Sequence, residues 1–223
     1  MADSKPLALV VGAGSGLSAS LARQCAAAGM VVALAARNAA KLERLVSETG
    51  GRAYACDATD EVAVKKLFRE LEATPELVVY NPSYRVRGPF VSLDAQEVRK
   101  ALMVSAYGGF LVAQEAAKRM LEHGRGSLFF TGASASIKGY AESAPFAMGK
   151  FALRGLAQSL ARELGPKGIH VAHFVIDGGI GRTGSNDSML SPDAIAEAYL
   201  AIHRQHRSAW SHEIDLRPWV ERF

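Results

Sequence analysis

The stretch SAPFAMGK, residues 143–150, places a phenylalanine and a lysine one helical turn apart. Residues at positions i and i+4 project from the same face of a helix, so Phe146 and Lys150 are expected to be neighbours. A reductive site would place a proton donor beside such a lysine, and here a benzene ring stands in its place. The pair raises the question of what chemistry this helix supports.

A glycine-rich turn near the start of the chain is the second chemical feature. The turn Gly12-Ala-Gly-Ser-Gly-Leu-Ser18 follows the apolar run LALVV and leads into a helical pattern. Glycines let the chain turn sharply and let backbone N–H groups approach a pyrophosphate at a helix N-terminus. The spacing therefore favours dinucleotide binding, and a tight strand–helix turn without a ligand is the alternative. The predicted contacts are Gly12, Ser15, Gly16 and Leu17, with Leu17 in the place of a third glycine.

The end of the second predicted strand bears on which dinucleotide would bind. That strand, VVALAA, ends at Ala36, which offers no carboxylate to a ribose 2′-hydroxyl. Arg37 follows and offers a planar, permanently charged partner for a 2′-phosphate. The pattern favours NADP(H) over NAD(H), unless Arg37 is only a surface cation opening the next helix.

Apolar runs alternate with helical patterns along the whole chain. The predicted strands are 7–11, 31–36, 53–55, 77–80, 127–131, 170–176 and 213–216, and the predicted helices are 17–28, 39–47, 61–71, 95–121, 144–164 and 192–203, with Ser191 as the N-cap of the last. Nearly all-apolar strands separated by helices are typical of a parallel sheet buried on both faces. We predict an α/β fold, a Rossmann-like doubly wound parallel sheet in a three-layer α/β/α sandwich, as a single domain over 1–223.

Composition narrows the remaining classes. The chain has 223 residues, 49% hydrophobic and 22% charged, with a net charge of +4, which suits one globular domain. No apolar run reaches the ~20 residues of a membrane span, and no stretch of Lys and Arg indicates a nucleic-acid surface. The start lacks a signal-peptide pattern, and Cys25 and Cys56 are the only cysteines. We therefore expect a cytoplasmic protein without nucleic-acid or membrane partners and without a metal site.

With these residues in view, the chain resembles the short-chain dehydrogenase/reductase family over about 7–200. The family's Thr-Gly-x-x-x-Gly-x-Gly motif matches Val11–Ser18, with departures at both ends. The resemblance implies that Asp57, with Ala58, binds adenine. It also implies that Asn81 marks the end of the fourth strand, and that Gly178 and Ile180 hold the nicotinamide carboxamide.

The family's catalytic residues are a Tyr, a Lys, a Ser and an Asn. Its Tyr-x-x-x-Lys pair falls on Phe146 and Lys150, its Ser on Ala133 and its Asn on Ser105. The resemblance thus keeps the lysine, which in the family lowers the tyrosine pKa and holds the nicotinamide ribose, and loses the other three. The sequence resembles a divergent subgroup of the family that has Phe in the Tyr position.

Substitute proton donors are present nearby, namely Tyr140, Ser134 and a water held by Ser105. We expect an NADP(H)-dependent oxidoreductase with a non-standard active site that transfers hydride between the coenzyme and a small carbonyl or alcohol. The alternative is a catalytically inactive NADP(H)-binding scaffold or redox sensor.

Three further expectations concern surfaces. In the family, the helices near 110–120 and 144–164 form the subunit interface, which implies a homodimer or homotetramer. The glycine-containing loop 177–190 corresponds to a short substrate lid. The tail residues His206, Arg207, His212 and Arg217 are expected to be solvated, with a partner-binding or substrate-facing surface as the alternative.

Overall fold

The computed structural model describes residues 5–181 and 187–220. Seven strands form its sheet: β1 (Leu7–Val11), β2 (Val31–Ala36), β3 (Arg52–Ala55), β4 (Pro75–Tyr80), β5 (Gly126–Thr131), β6 (Ile169–Ile176) and β7 (Glu213–Leu216). Their order is β3-β2-β1-β4-β5-β6-β7, and every neighbouring pair is parallel. The prediction of a doubly wound parallel sheet is confirmed.

Within the described ranges, seven α-helices flank the sheet: α1 (Leu17–Ala27), α2 (Glu43–Thr49), α3 (Glu61–Glu70), α4 (Ala95–Leu102), α5 (Gly108–His123), α6 (Ala144–Leu164) and α7 (Pro192–His203). A π-helical segment, Met103–Tyr107, joins α4 to α5, so the long helical region predicted there is nearly continuous. Helix α7 begins at Pro192 as predicted, but the Ser191 side chain makes no capping hydrogen bond.

Two hydrophobic cores lie on opposite faces of the sheet, and alternate strand residues feed each of them. In β1, Leu7, Leu9 and Val11 face the core under α3, α5 and α6. Ala8 and Val10 face the core under α1 and α7. Because both faces are covered, the strands are apolar at nearly every position, and three layers result.

The segment after α7 is packed, in part against expectation. Trp210 stacks on His170 with ring centroids 4.7 Å apart, and His212 Nδ1 lies 3.1 Å from the Val171 carbonyl oxygen. The prediction of a solvated tail is wrong for His212 and Arg217, which are half-buried, while His206 and Arg207 are exposed. Trp210 and His212 of this segment pack against His170 and Val171 of β6, which explains why the segment is not fully solvated.

The fold brings several loops together at the carboxyl ends of the strands. The chain winds outward in opposite directions from β1 and β4, and parallel sheets bind ligands in the crevice at such a switch point.

Part of the predicted lid, 182–186, lies outside the described residues. Within the described part of the chain, each helix is too short or too polar to cross a membrane.

Candidate dinucleotide and active site

A cavity of about 810 Å³ lies at the carboxyl ends of β1, β2 and β4. The predicted contact residues that line it are Gly12, Ser15, Arg37, Asp57, Ala58 and Asn81. A second cavity, of about 700 Å³, joins Ser15 and Gly16 to Ile180 on the loop after β6. Leu17 differs from the rest, because its side chain is buried in the core under α1, which leaves only its backbone near the crevice.

The glycine turn has the geometry of a phosphate cradle. Gly12 has φ +81°, and a Cβ there would lie 2.7 Å from the backbone nitrogen of Pro82, so glycine is required on both counts. At Gly14 and Gly16, a Cβ would meet no described protein atom within 4 Å. The open space in front of these two backbones, at the start of α1, fits the close approach of a pyrophosphate.

Ser18 ties this turn to the neighbouring strand. Its hydroxyl donates to the Gly12 carbonyl oxygen at 3.0 Å and accepts from Asn81 Nδ2 at 2.8 Å. The Asn81 backbone N–H in turn donates to the Val11 carbonyl oxygen at 3.0 Å. Sequence reasoning saw Ser18 only as a departure from glycine and missed this bridge.

The end of the cavity beyond β2 is positively charged. Arg37 and Lys41 are both exposed and both line the cavity. Asn38 Oδ1 accepts a hydrogen bond from the Ala40 backbone at 3.1 Å and so shapes the turn that carries them. Lys41 was missed in the sequence, because it belongs to a short 3-10 helix, Ala39–Leu42, whose position relative to Arg37 no local pattern gives.

Asp57 lies at the end of β3, on the same cavity. Its Oδ1 accepts from the Thr59 backbone N–H at 2.9 Å and from the Thr59 hydroxyl at 2.8 Å. These bonds hold the loop in a tight turn. Asp57 itself is exposed, so the carboxylate faces the space where an adenine would lie.

Lys150, on α6, is almost completely buried and is not among the residues that line the two cavities described above. Its Nζ donates to the Thr131 carbonyl oxygen at 2.7 Å and lies 5.8 Å from the centroid of the Phe146 ring. Burial, and then the charge of Arg85, lowers the pKa of the Lys150 ammonium to about 8. The ammonium keeps two further N–H donors for a ligand.

The positions that usually carry the serine and asparagine are filled differently. Ser105 is fully buried in the π-helical segment, and its Oγ has no hydrogen-bond partner among the described residues. It packs against α6, because a Cβ on Gly149 would lie 2.7 Å from Ser105 Cβ. Ala133 donates its backbone N–H to Ser136 Oγ at 3.1 Å, and Ser134 is half-buried at the start of that turn.

Tyr140 is 48% exposed and lies with its ring 5.7 Å from the Lys138 Nζ. Its loop immediately precedes α6, the helix that carries Phe146. The structure thus puts Tyr140 at the surface of the loop, where its hydroxyl meets solvent.

Arg85 was missed by sequence reasoning. Its guanidinium carbon lies 4.4 Å from the centroid of the Phe146 ring, on the loop after β4. No motif signals this contact, because the two residues are far apart in sequence and the loop has no regular structure.

The loop after β6 closes the crevice. Gly178 has φ +159°, and a Cβ there would lie 2.8 Å from Pro218 Cδ. Ile180 forms an isolated parallel bridge with Leu190 and is 40% exposed. The backbone near the predicted carboxamide contacts is therefore fixed, and the Ile180 side chain remains accessible.

The sequence of the chain matches a known protein family over most of its length. A family model described as enoyl-(acyl carrier protein) reductase, of the short-chain alcohol dehydrogenase type, matches residues 12–215. The chain therefore belongs to the short-chain dehydrogenase/reductase family, which confirms that resemblance. Membership of a subgroup with Phe in the Tyr position stays a prediction.

Two curated relatives show that proteins similar to this chain differ in function. D-threitol dehydrogenase of Mycolicibacterium smegmatis is 30% identical over 173 residues, 74% of this chain and 66% of the relative. The cyclic-di-GMP-binding biofilm dispersal mediator protein of Escherichia coli is 32% identical over 166 residues, 73% of this chain and 68% of the relative. The matched part thus spans about two thirds of the length of these relatives.

Solved structures match over nearly the whole chain. A short-chain dehydrogenase from Rhodopseudomonas palustris is 38% identical with a TM-score of 0.87, covering 96% of this chain and 99% of that one. A metagenomic short-chain oxidoreductase in complex with NADP is 24% identical with a TM-score of 0.85, covering 96% and 98%. The second likeness concerns the fold alone.

Proposed function

We propose that this protein binds NADP(H) in the crevice and acts as an oxidoreductase on a small carbonyl or alcohol. The observation that carries the proposal is the open cradle at Gly14 and Gly16, held ready by the Ser18–Asn81 bridge. The family relation supports it, since relatives include D-threitol dehydrogenase and an oxidoreductase with NADP bound.

The residues present fit such a coenzyme along the crevice. The Gly12–Leu17 backbone would hold the pyrophosphate, and Asp57 with Ala58 would hold the adenine. Lys150 would bind the nicotinamide ribose, and the backbone at Gly178 and Ile180 would bind the carboxamide. When bound, the nicotinamide supplies or accepts a hydride.

The preference for the phosphorylated coenzyme rests on charge. Arg37 and Lys41 face the cavity near the end of β2, where an adenosine ribose would lie. Two cations attract a 2′-phosphate, and Ala36 offers no carboxylate to repel it.

The catalytic step needs a proton source that the usual tyrosine does not supply here. Reduction of a carbonyl leaves negative charge on its oxygen, which must be stabilised and protonated. Tyr140, Ser134 or a water held by Ser105 are the proposed donors. Lys150, with a pKa lowered to about 8, is partly neutral near that pH and can relay a proton.

The second candidate is an inactive NADP(H)-binding scaffold or redox sensor. Phe146, Ala133 and Ser105 favour it, because they replace three of the four catalytic residues. The Escherichia coli relative is named for binding a nucleotide and not for an enzymatic reaction.

We further propose a homodimer or homotetramer. An apolar surface on α5, α6 and the segment between α4 and α5 carries Tyr107, Phe110, Met148 and Phe151, each between 41% and 49% exposed. Such contiguous apolar exposure is typical of interfaces. Light scattering should give at least a dimer for the wild type and a smaller mass for F110S/F151S.

The two buried cysteines are free, which fits the predicted reducing, cytoplasmic compartment. No group of three or more His, Cys, Asp or Glu among the described residues could hold a metal ion.

Calorimetry with NADPH and NADH tests the binding claim directly. The proposal predicts heat for NADPH at micromolar concentration and weaker binding of NADH. A panel of carbonyls and alcohols, run with wild type and with Tyr140→Phe, then separates an enzyme from a scaffold. Binding without turnover of any panel member favours the scaffold, and no heat from either coenzyme contradicts both functions.

A further inference from the structure

The Arg85 guanidinium stacks on the ring that replaces the usual catalytic tyrosine. Its carbon lies 4.4 Å from the Phe146 centroid, within the range of a cation–π contact. A guanidinium over a ring face makes no hydrogen bond to the ring atoms in its plane, so its N–H donors remain available to a ligand. Phe146 is buried, so the ring gives Arg85 a fixed surface.

The loop that carries Arg85 is anchored on both sides of it. Before it, the Tyr84 hydroxyl donates to Glu97 at 2.5 Å and accepts from Lys100 Nζ at 3.1 Å. After it, the Gly88 backbone N–H donates to the Glu142 carbonyl oxygen at 3.1 Å. The second bond joins this loop to the loop that precedes α6, so Arg85 and Phe146 are held by connected segments.

The positive charge at this place is not neutralised. Among the described residues, no carboxylate forms an ion pair with Arg85 or with the buried Lys150. Glu142 meets the Arg85 loop through its backbone, and its carboxylate makes no such pair within that part of the chain. Burial is the main cause of the lowered pKa of Lys150, and the charge of Arg85 lowers it further. Arg85 is exposed, so an anion can reach it, and two neighbouring cations without a counter-charge favour such an anion.

The dinucleotide phosphates do not supply that anion. Tyr84 borders the dinucleotide cavity, but Arg85 does not line it. Arg85 instead lies over the Phe146 ring, from which the Lys150 Nζ is 5.8 Å away. The counter-charge that these two cations lack is therefore not assigned to the dinucleotide phosphates.

We propose that Arg85, stacked on Phe146, binds the carboxylate of an anionic carbonyl or alcohol substrate beside Lys150. The inference rests on the proposed function and narrows its substrate class. A guanidinium edge matches a carboxylate with two parallel N–H···O bonds, which a single ammonium cannot form. Phe146 then serves as a positioning residue for Arg85.

A matched pair of probes tests the carboxylate claim. The protein is saturated with NADPH, and calorimetry measures the binding of 4-carboxybenzaldehyde and of its neutral methyl ester. We expect the carboxylate to bind about tenfold tighter or more, because a hydrogen bond to a charged group is stronger than a neutral one. Equal affinity of the two probes for the wild type would overturn the proposal.

Two variants and a control assign the effect to Arg85. Arg85→Gln should remove the preference for the carboxylate, and Phe146→Leu should reduce it, with NADPH binding unchanged in both. Arg87→Gln, an exposed cation on the same loop, should keep the full preference. A loss in Arg87→Gln equal to that in Arg85→Gln would show a diffuse basic surface and contradict the assignment.

An NMR measurement adds a readout that does not depend on turnover. Binding of the carboxylate probe should raise the pKa of Lys150, followed with ¹⁵N-labelled lysine, because an anion stabilises its charged form. Failure of NADPH to bind would defeat the proposed function. The probe pair can then still be compared without coenzyme, so failures of the two proposals remain distinguishable.

Discussion

Asn81 Nδ2 donates to Ser18 Oγ at 2.8 Å, and this bond joins the end of β4 to the first turn of α1. The Ser18 hydroxyl itself donates a hydrogen bond to the Gly12 carbonyl oxygen at 3.0 Å. The phosphate turn is therefore held by side chains as well as by the sheet. A turn that is ordered before a ligand arrives loses little entropy on binding.

Ser18→Ala should destabilise the protein and weaken NADPH binding. The change leaves the partly buried Asn81 amide and Gly12 carbonyl oxygen without this partner, at a cost of about 1 kcal/mol. Urea unfolding measures the free energy, and calorimetry measures the affinity. Cys25→Ala, on the same helix and also buried but outside both cavities, is the control and should change the affinity less. Equal effects of the two changes on the affinity would contradict the role given to the bridge.

Arg37→Ala should abolish the preference for NADPH over NADH. The wild type should melt at a higher temperature with NADPH than with NADH, because Arg37 and Lys41 attract the 2′-phosphate. Lys41→Ala should reduce the difference between the two melting temperatures, and the double variant, like Arg37→Ala, should show none. Arg44→Ala, an exposed cation outside the cavity, should leave it unchanged. Equal shifts with both coenzymes in the wild type would refute the Arg37 assignment.

Phe146→Tyr should raise the rate of carbonyl reduction if the rest of the site is competent. A positioned general acid contributes about 10²–10⁴ in rate. Turnover of a generic aldehyde, followed by NADPH absorbance, measures the gain. Phe90→Tyr adds a phenol at a position that is 79% exposed and outside the proposed subunit interface, and it should have no effect. An unchanged rate in Phe146→Tyr would support the scaffold function.

Lys150 should make stability rise with pH on the alkaline side. Its pKa is about 8 when folded and 10.5 in the reference state, so the unfolded chain binds more protons between these values. The penalty of burying the ammonium is complete below pH 8 and fades as pH rises to 10.5. It amounts to on the order of 3 kcal/mol.

Urea unfolding at pH 7 to 10.5 measures this effect as a difference from Lys150→Met, which lacks the titrating group. The wild type should gain stability relative to that variant across the interval. Lys66→Met, at an exposed position of α3, should show the same pH dependence of the free energy of unfolding as the wild type. A constant difference between wild type and Lys150→Met would show that Lys150 titrates normally.

The sheet was predictable because its strands carry strong local signals. The runs LALVV and VVALAA were located to the residue, since strands buried on both faces are apolar throughout. The start of β4 at Pro75 was missed by two residues, because Pro75 and Glu76 interrupt the apolar pattern of LVVY. The π-helical segment was also missed, since its period differs little from that of an α-helix over five residues.

Candidate site residues were predictable where a spacing brings them together, as at Gly12–Ser18 and at Phe146 and Lys150. Contacts between distant segments were not. Neither the Asn81–Ser18 bond nor the stacking of Arg85 on Phe146 leaves a local pattern, because each depends on how two loops meet. The solvated tail was wrong in part for the same reason, since Trp210 packs on His170 from a segment that looks polar.

Gly12 touches Pro82 so closely that no side chain fits between them. Three residues beyond Pro82, the same loop presents Arg85 to Phe146. This one contact thus links the glycine turn to the segment that carries the guanidinium, and we expect a shift of the turn on coenzyme binding to alter the position of Arg85.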